Sequence, residues 1–202
     1  MIDYTKVNVI YGSPGCGKTF YLLDKVAHHI KQGISPVNIM FISFTRKAAN
    51  EAKNRAMVEL GLNELQLQWF KTLHGLAFHQ LGMGREDVMS IRDYFKICGE
   101  LGLYVTNKGI GEDGVFSGQS KGDRLLFMEN ISRVLLLDLK TYWETFPNED
   151  VDWFELELLR KTIVEYKEVN NKKDFTDMVV QYCESPMIPD IMDTIAPIQM
   201  NP

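Results

Sequence analysis

The chain has 202 residues, 45% of them apolar and 24% charged, with a formal net charge of −5. This is an ordinary globular composition, long enough for one domain or a domain carrying an insertion. No apolar stretch nears the ~20 residues that span a bilayer, no signal-type pattern opens the chain, and three scattered cysteines with four dispersed histidines form no metal framework. Membrane insertion and zinc binding are therefore set aside, and a reducing cytoplasm is the expected setting.

The first expected element is a buried strand, Val7-Asn8-Val9-Ile10-Tyr11. It leads into Gly12-Ser13-Pro14-Gly15-Cys16-Gly17-Lys18-Thr19, which fits the phosphate-cradling pattern G-x-x-x-x-G-K-[ST], and a helix is expected from Thr19 to Lys31. Glycines let such a loop turn its N–H groups onto a phosphate. The helix N-terminus adds partial positive charge, Lys18 reaches the β- and γ-phosphates, and the hydroxyl of Thr19 can hold Mg²⁺. A turn that merely joins a strand to a helix needs neither the lysine nor the threonine. Residues Gly12 to Thr19, with Phe20 directly after, are therefore the expected ATP site, with Lys18 and Thr19 as its catalytic pair and Thr19 as the Mg²⁺ ligand.

Gly33 and Pro36 mark a helix end and a turn, and Asn38 to Phe44 reads as a second buried strand. A helix follows from about Arg46 to Leu60, closed by Gly61. Trp69-Phe70-Lys71 reads as a short third strand running into Thr72-Leu73-His74 and a helix to about Leu81. Strand–loop–helix repeated in this way predicts a parallel sheet covered by helices. From Gly82 the pattern turns helical: one or two amphipathic helices over 85–100, a Gly-rich stretch over 102–122, and helices over 123–145 and about 151–170. The last of these has apolar residues at Trp153, Leu156, Leu159, Ile163 and Tyr166. Val134 to Leu137 continues the apolar positions of Phe127 and Ile131 and is expected to be buried helix. Asp174 is expected to cap a further helix, with Asp177 near its positive end. The tail after Ser185 carries four prolines and no periodicity.

Charge is unevenly spread. Residues 1–143 hold 17 Lys+Arg against 14 Asp+Glu, whereas 144–202 hold 5 against 13. Arg46, Lys47, Lys53 and Arg55 cluster with only Glu51 opposing them. A local basic patch on an acidic protein suits a binding groove better than a whole-surface coat.

Three segments sharpen the nucleotide reading: Phe44-Thr45-Arg46-Lys47-Ala48-Ala49-Asn50-Glu51, Thr72-Leu73-His74-Gly75-Leu76-Ala77-Phe78, and Asp174-Phe175-Thr176-Asp177-Met178. In this order, after the phosphate loop, they resemble the UvrD/Rep-type superfamily 1 DNA helicases, with similarity closest to phage-borne members. The resemblance implies an α/β fold: a P-loop, RecA-like parallel sheet flanked by helices, with an inserted helical subdomain. On that reading 1–81 is the first part of the nucleotide-binding core, 82–172 the insertion, and 173–202 a return to the core with its Pro-rich tail. The resemblance also implies that Thr45, Arg46, Lys47, Thr72 and His74 contact single-stranded DNA, weakly and without sequence preference.

The family's acidic strand, ending in Asp-Glu, is not found after Asp174; Val134–Asp138 is followed by Leu139 instead. The upstream glutamine motif, the arginine fingers and the second RecA-like domain are also missing, and Leu73 stands where relatives often carry an aromatic residue. The sheet is expected to be incomplete and this stretch alone inactive, its partners being the rest of a helicase or a second copy. Two alternatives stay open: a non-catalytic P-loop module that binds DNA or a protein, and another P-loop kinase or NTPase.

Overall fold

The computed structural model describes residues 8–13, 15–106 and 118–184. Val7, Pro14, residues 107–117 and the tail from Ser185 lie outside them, so the expectations placed there are not addressed. The chain divides after Ala77 into two units.

In the first unit, helix α1 (Lys18–Lys31) buries Leu22, Leu23 and Val26. It ends where Gly33 turns left-handed (φ 91°) and Ile34 donates its N–H to the His29 carbonyl at 3.1 Å, a closure that glycine makes without a Cβ penalty. Strand β1 (Phe41–Ser43) is buried along its length. Helix α2 (Arg46–Leu60) faces the core with Ala49, Ala52 and Ala56, side chains small enough to let the helix lie close to the sheet, and stops at Gly61. Strand β2 (Phe70–Thr72) then leads directly into α3 (Leu73–Gln80). The strands pair in parallel, Phe41 opposite Phe70, Ile42 opposite Lys71 and Ser43 opposite Thr72. The Phe41 and Phe70 rings stack 5.1 Å apart, in one core with Leu22, Leu23, Val26, Ala52, Ala56 and Leu67.

The fold is thus helix-rich α/β with a two-stranded parallel sheet among the described residues. The expected strand Val7–Tyr11 is corrected over its described part: residues 8–11 form no strand, and Val9 is 65% and Tyr11 90% exposed. A short apolar run becomes a strand only where a neighbour takes up its N–H and C=O groups, and β1 pairs with β2 instead.

The second unit is helical: α4 (Ile91–Glu100), α5 (Lys121–Val134), α6 (Leu139–Thr145), α7 (Trp153–Asn170) and α8 (Phe175–Glu184). Ile97, Leu125, Leu156, Leu159 and Ile163 are fully buried in its core, with Trp143, Trp153 and Tyr166 packed against it, so the α7 stripe read from the sequence is the inward face. Asp93 and Asp123 fasten the chain segments between helices. Asp93 accepts from the Ser90 N–H (2.7 Å), the Tyr166 hydroxyl (2.7 Å) and Lys172 (2.9 Å). Asp123 accepts from Ser120 and Thr106. A parallel bridge joins Val88 to Lys173. Burial pushes the Cys98 thiol up to about 12, so it behaves as core rather than as a nucleophile.

Helix α8 packs on α5. One expectation shifts here. Val134–Leu137 is not buried helix. Leu135 ends α5, Leu136 adopts φ 55° and is 85% exposed, and Leu137 donates back to the Ser132 carbonyl at 2.9 Å. This closure usually employs glycine at the left-handed position. Asp138 then caps α6 by accepting from the Thr141 N–H at 3.0 Å. The apolar repeat continues past the point where the helix has a neighbour to bury it.

Candidate nucleotide and nucleic-acid site

The loop from Gly12 bends because Gly15 (φ 79°) and Gly17 (φ 86°) take left-handed conformations that other residues reach only with strain. Gly17 is the N-cap of α1 without any side-chain cap, and Tyr21 donates to its carbonyl at 3.0 Å. The N-cap residue thus offers no side-chain acceptor to the first N–H groups of this 14-residue helix. Gly12 is needed for space: a Cβ there would come within 2.3 Å of the Cys16 sulfur. Lys18 curls over the loop, its Nζ donating to the carbonyls of Gly12 (2.7 Å) and Ser13 (3.0 Å) and lying 3.9 Å from the Cys16 sulfur. Thr19 is the second residue of α1. Phe20, the third, is 63% exposed.

Parallel register sets the second group of residues. Because Ser43 lies opposite Thr72, the segments Thr45–Lys47 and Thr72–His74 leave the sheet at the same end. Thr45 caps α2 by accepting from the Ala48 N–H at 3.2 Å, and Thr72 accepts from the Gly75 N–H at 3.1 Å. Each strand thus hands over to its helix through a threonine hydroxyl, and capping explains both residues locally. Arg46 and Lys47 are exposed in the first turn of α2, and His74 is half-buried in the first turn of α3. The wider basic cluster is smaller than its sequence implies. Arg55 pairs with Glu51 at 2.6 Å and Lys53 with Glu64 at 3.7 Å, while Arg46 and Lys47 are exposed beside the strand ends.

Asp174 and Asp177 are spoken for in the helical unit. Each accepts the other's backbone N–H, at 2.9 and 3.0 Å, closing a reciprocal cap on α8. Both also pair with Arg133 and Lys167 (Arg133 to Asp177 2.7 Å; Lys167 to Asp174 2.5 Å). Buried Glu129 completes the cluster, 3.0 Å from Arg133. Burial pushes Asp174 up, but Lys167 and Arg133 outweigh it and hold the carboxyl well below the usual range. For Glu129 burial prevails over Arg133 and raises its pKa. The sequence reading names the two aspartates as capping groups. It misses Arg133, whose signal is an i,i+4 pair with Glu129, and Lys167, which leaves no local signal. Among the described residues no cluster of three His, Cys, Asp or Glu side chains could hold a metal, and no helix is long and apolar enough to cross a membrane.

A family model for the UvrD/REP helicase N-terminal domain matches residues 2–196. A probable DNA helicase of Mycoplasma pneumoniae is 25% identical over 198 residues, covering 88% of this chain and 34% of that protein. The ATP-dependent DNA helicase PcrA of Staphylococcus epidermidis is 38% identical over 70 residues, 34% of this chain and 10% of PcrA, and that of Staphylococcus aureus 33% over the same length. The chain spans about a third of the Mycoplasma protein and a tenth of PcrA. With nearly its whole length matched, the chain belongs to the UvrD/REP helicase N-terminal domain family.

Proposed function

We propose that this chain is the ATP-binding and single-strand-contacting N-terminal part of an ATP-dependent DNA helicase, in which nucleotide hydrolysis drives movement along DNA. One observation carries the nucleotide half: a glycine-shaped loop, a lysine ammonium and an uncapped helix N-terminus converge on one spot. These residues fit a polyphosphate. Loop N–H groups and Lys18 would hold the phosphates of ATP, and Thr19 would hold Mg²⁺ together with phosphate oxygens. The bound nucleotide would supply the free energy for strand movement.

The strand-contacting half rests on the paired ends of β1 and β2. A threonine-capped helix start beside Arg46 and Lys47 offers donors and positive charge to phosphates. The DNA would be single-stranded and bound without sequence preference. We take 1–81 as the first part of a RecA-like core, 82–172 as a helical insertion into it and 173–202 as the return to the core.

A second reading, nucleotide and strand binding without turnover, is favoured by one observation. The carboxylates nearest in sequence to a metal-binding role, Asp138, Asp174 and Asp177, are all engaged as helix caps. ATP turnover with and without single-stranded DNA, on this chain and on one extended past Pro202, separates the two. The extended chain is expected to show DNA-stimulated turnover and the shorter one to bind with little turnover. Inactivity of both, with binding retained, would favour the non-catalytic reading.

A further inference from the structure

Helix α7 runs 18 residues, about 27 Å at 1.5 Å per residue. It buries Leu156, Leu159 and Ile163 on one side. On the other side Phe154 is 75%, Leu158 52%, Val164 42% and Val169 84% exposed. At 100° per residue these four, with Glu157, Lys161, Glu165 and Glu168, fall in one sector about 140° wide, opposite the buried stripe, and carry three carboxylates against one ammonium. Four exposed apolar side chains on one ordered helix face are more than the scattered singles of a typical surface.

The charge on this face selects its occupant. Every cation of α7 is already engaged: Arg160 lies 4.0 Å from Glu129, Lys161 3.6 Å from Glu157, and Lys167 is held by Asp174 and Asp177. Glu165 and Glu168 have no ion-pair partner among the described residues. The loop before α7 adds exposed Glu149 and Asp152. Nucleic acid and anionic membrane are repelled by such a face, and two copies of it repel each other. We propose that the outer face of α7 docks a basic amphipathic helix of another protein, its apolar side chains on Phe154 and Leu158 and its cations on Glu165 and Glu168.

The test uses the whole chain, ¹⁵N-labelled, titrated with a 20-residue Leu/Lys peptide whose leucines follow helical spacing, and with a peptide of the same composition in scrambled order. The patterned peptide is expected to shift amides of α7. Phe154→Ser with Leu158→Ser, and separately Glu165→Lys with Glu168→Lys, are expected to weaken it about tenfold or more. All four positions are exposed, so thermal unfolding should be unchanged in both double variants. Equal binding of the scrambled peptide, shifts confined to other elements, or indifference to either variant pair overturns the proposal. So does concentration-dependent dimerisation that the Phe154 and Leu158 substitutions abolish, because the face then serves a second copy.

Discussion

The ammonium of Lys18 donates to the carbonyl of Gly12 at 2.7 Å, so the phosphate loop is closed on itself by the side chain that would hold the phosphate. Replacing Lys18 by Ala removes that charge from an exposed loop and leaves both cores untouched. ATP affinity measured by calorimetry should fall by about 2–4 kcal/mol, the scale of a charge-assisted contact, with the melting temperature hardly changed. Wild-type affinity in this variant would refute the phosphate-loop assignment.

Gly12→Ala puts a methyl group where the Cys16 sulfur lies. The Cys16 side chain or the loop must shift to accept it, and nucleotide affinity should drop while the fold persists. Adding Cys16→Ala, which removes the clashing sulfur, should restore much of the loss. Failure of that rescue would show that Gly12 is required for something other than space at this contact.

Arg46 and Lys47 are exposed in the first turn of α2, beside the ends of the two strands. Neutralising both to Gln should weaken single-strand binding evenly across oligonucleotide sequences. The slope of log affinity against log salt should flatten by roughly one to two units. Fluorescence anisotropy over a salt series reads both quantities, and a loss restricted to one sequence would count against phosphate contact.

Removing Arg133 leaves Glu129, only 3% exposed, with no cation nearer than Arg160 at 4.0 Å, while Asp174 keeps Lys167. Arg133→Ala should destabilise the helical unit by about 3–5 kcal/mol, the cost of leaving a buried charge unpaired. Urea unfolding followed by circular dichroism measures this. A change under 1 kcal/mol would mean that water reaches the cluster.

Stability should fall in acid, and the sign follows from the carboxylates. Burial raises the pKa values of Asp93, Asp123 and Asp174, but hydrogen bonds and ion pairs outweigh it and hold all three below the usual range. Their contribution is therefore present above the unfolded-state value near about pH 4 and is lost as pH drops below it. Glu129, raised by burial, acts in the opposite sense, favouring the fold slightly as it is protonated. The Glu129 effect is complete once pH has fallen to its unfolded-state value near about 4, so below that only the three aspartates act and stability falls. Asp93→Asn should flatten the acid limb of a melting-temperature profile, and an unaltered limb would show that Asp93 does not contribute to it.

Much of this protein was legible in the chain itself, because those features depend on neighbours a few residues away. A glycine-lysine-threonine loop, the caps at Thr45 and Asp174, the stop at Gly61 and the buried stripe of α7 all follow from local steric rules and 3.6-residue periodicity. Tertiary structure alone decided what depends on a partner distant in sequence. Val9 and Tyr11 have strand-type residues but no strand beside them, and they stay exposed. Leu135 and Leu136 continue an apolar repeat past the last surface that could bury them, so α5 ends there and α6 starts anew at Asp138. Arg133 and Lys167 meet the Asp174 carboxylate only because α5, α7 and α8 pack together. Residue type sets what a side chain can do, and long-range packing sets which other group it meets.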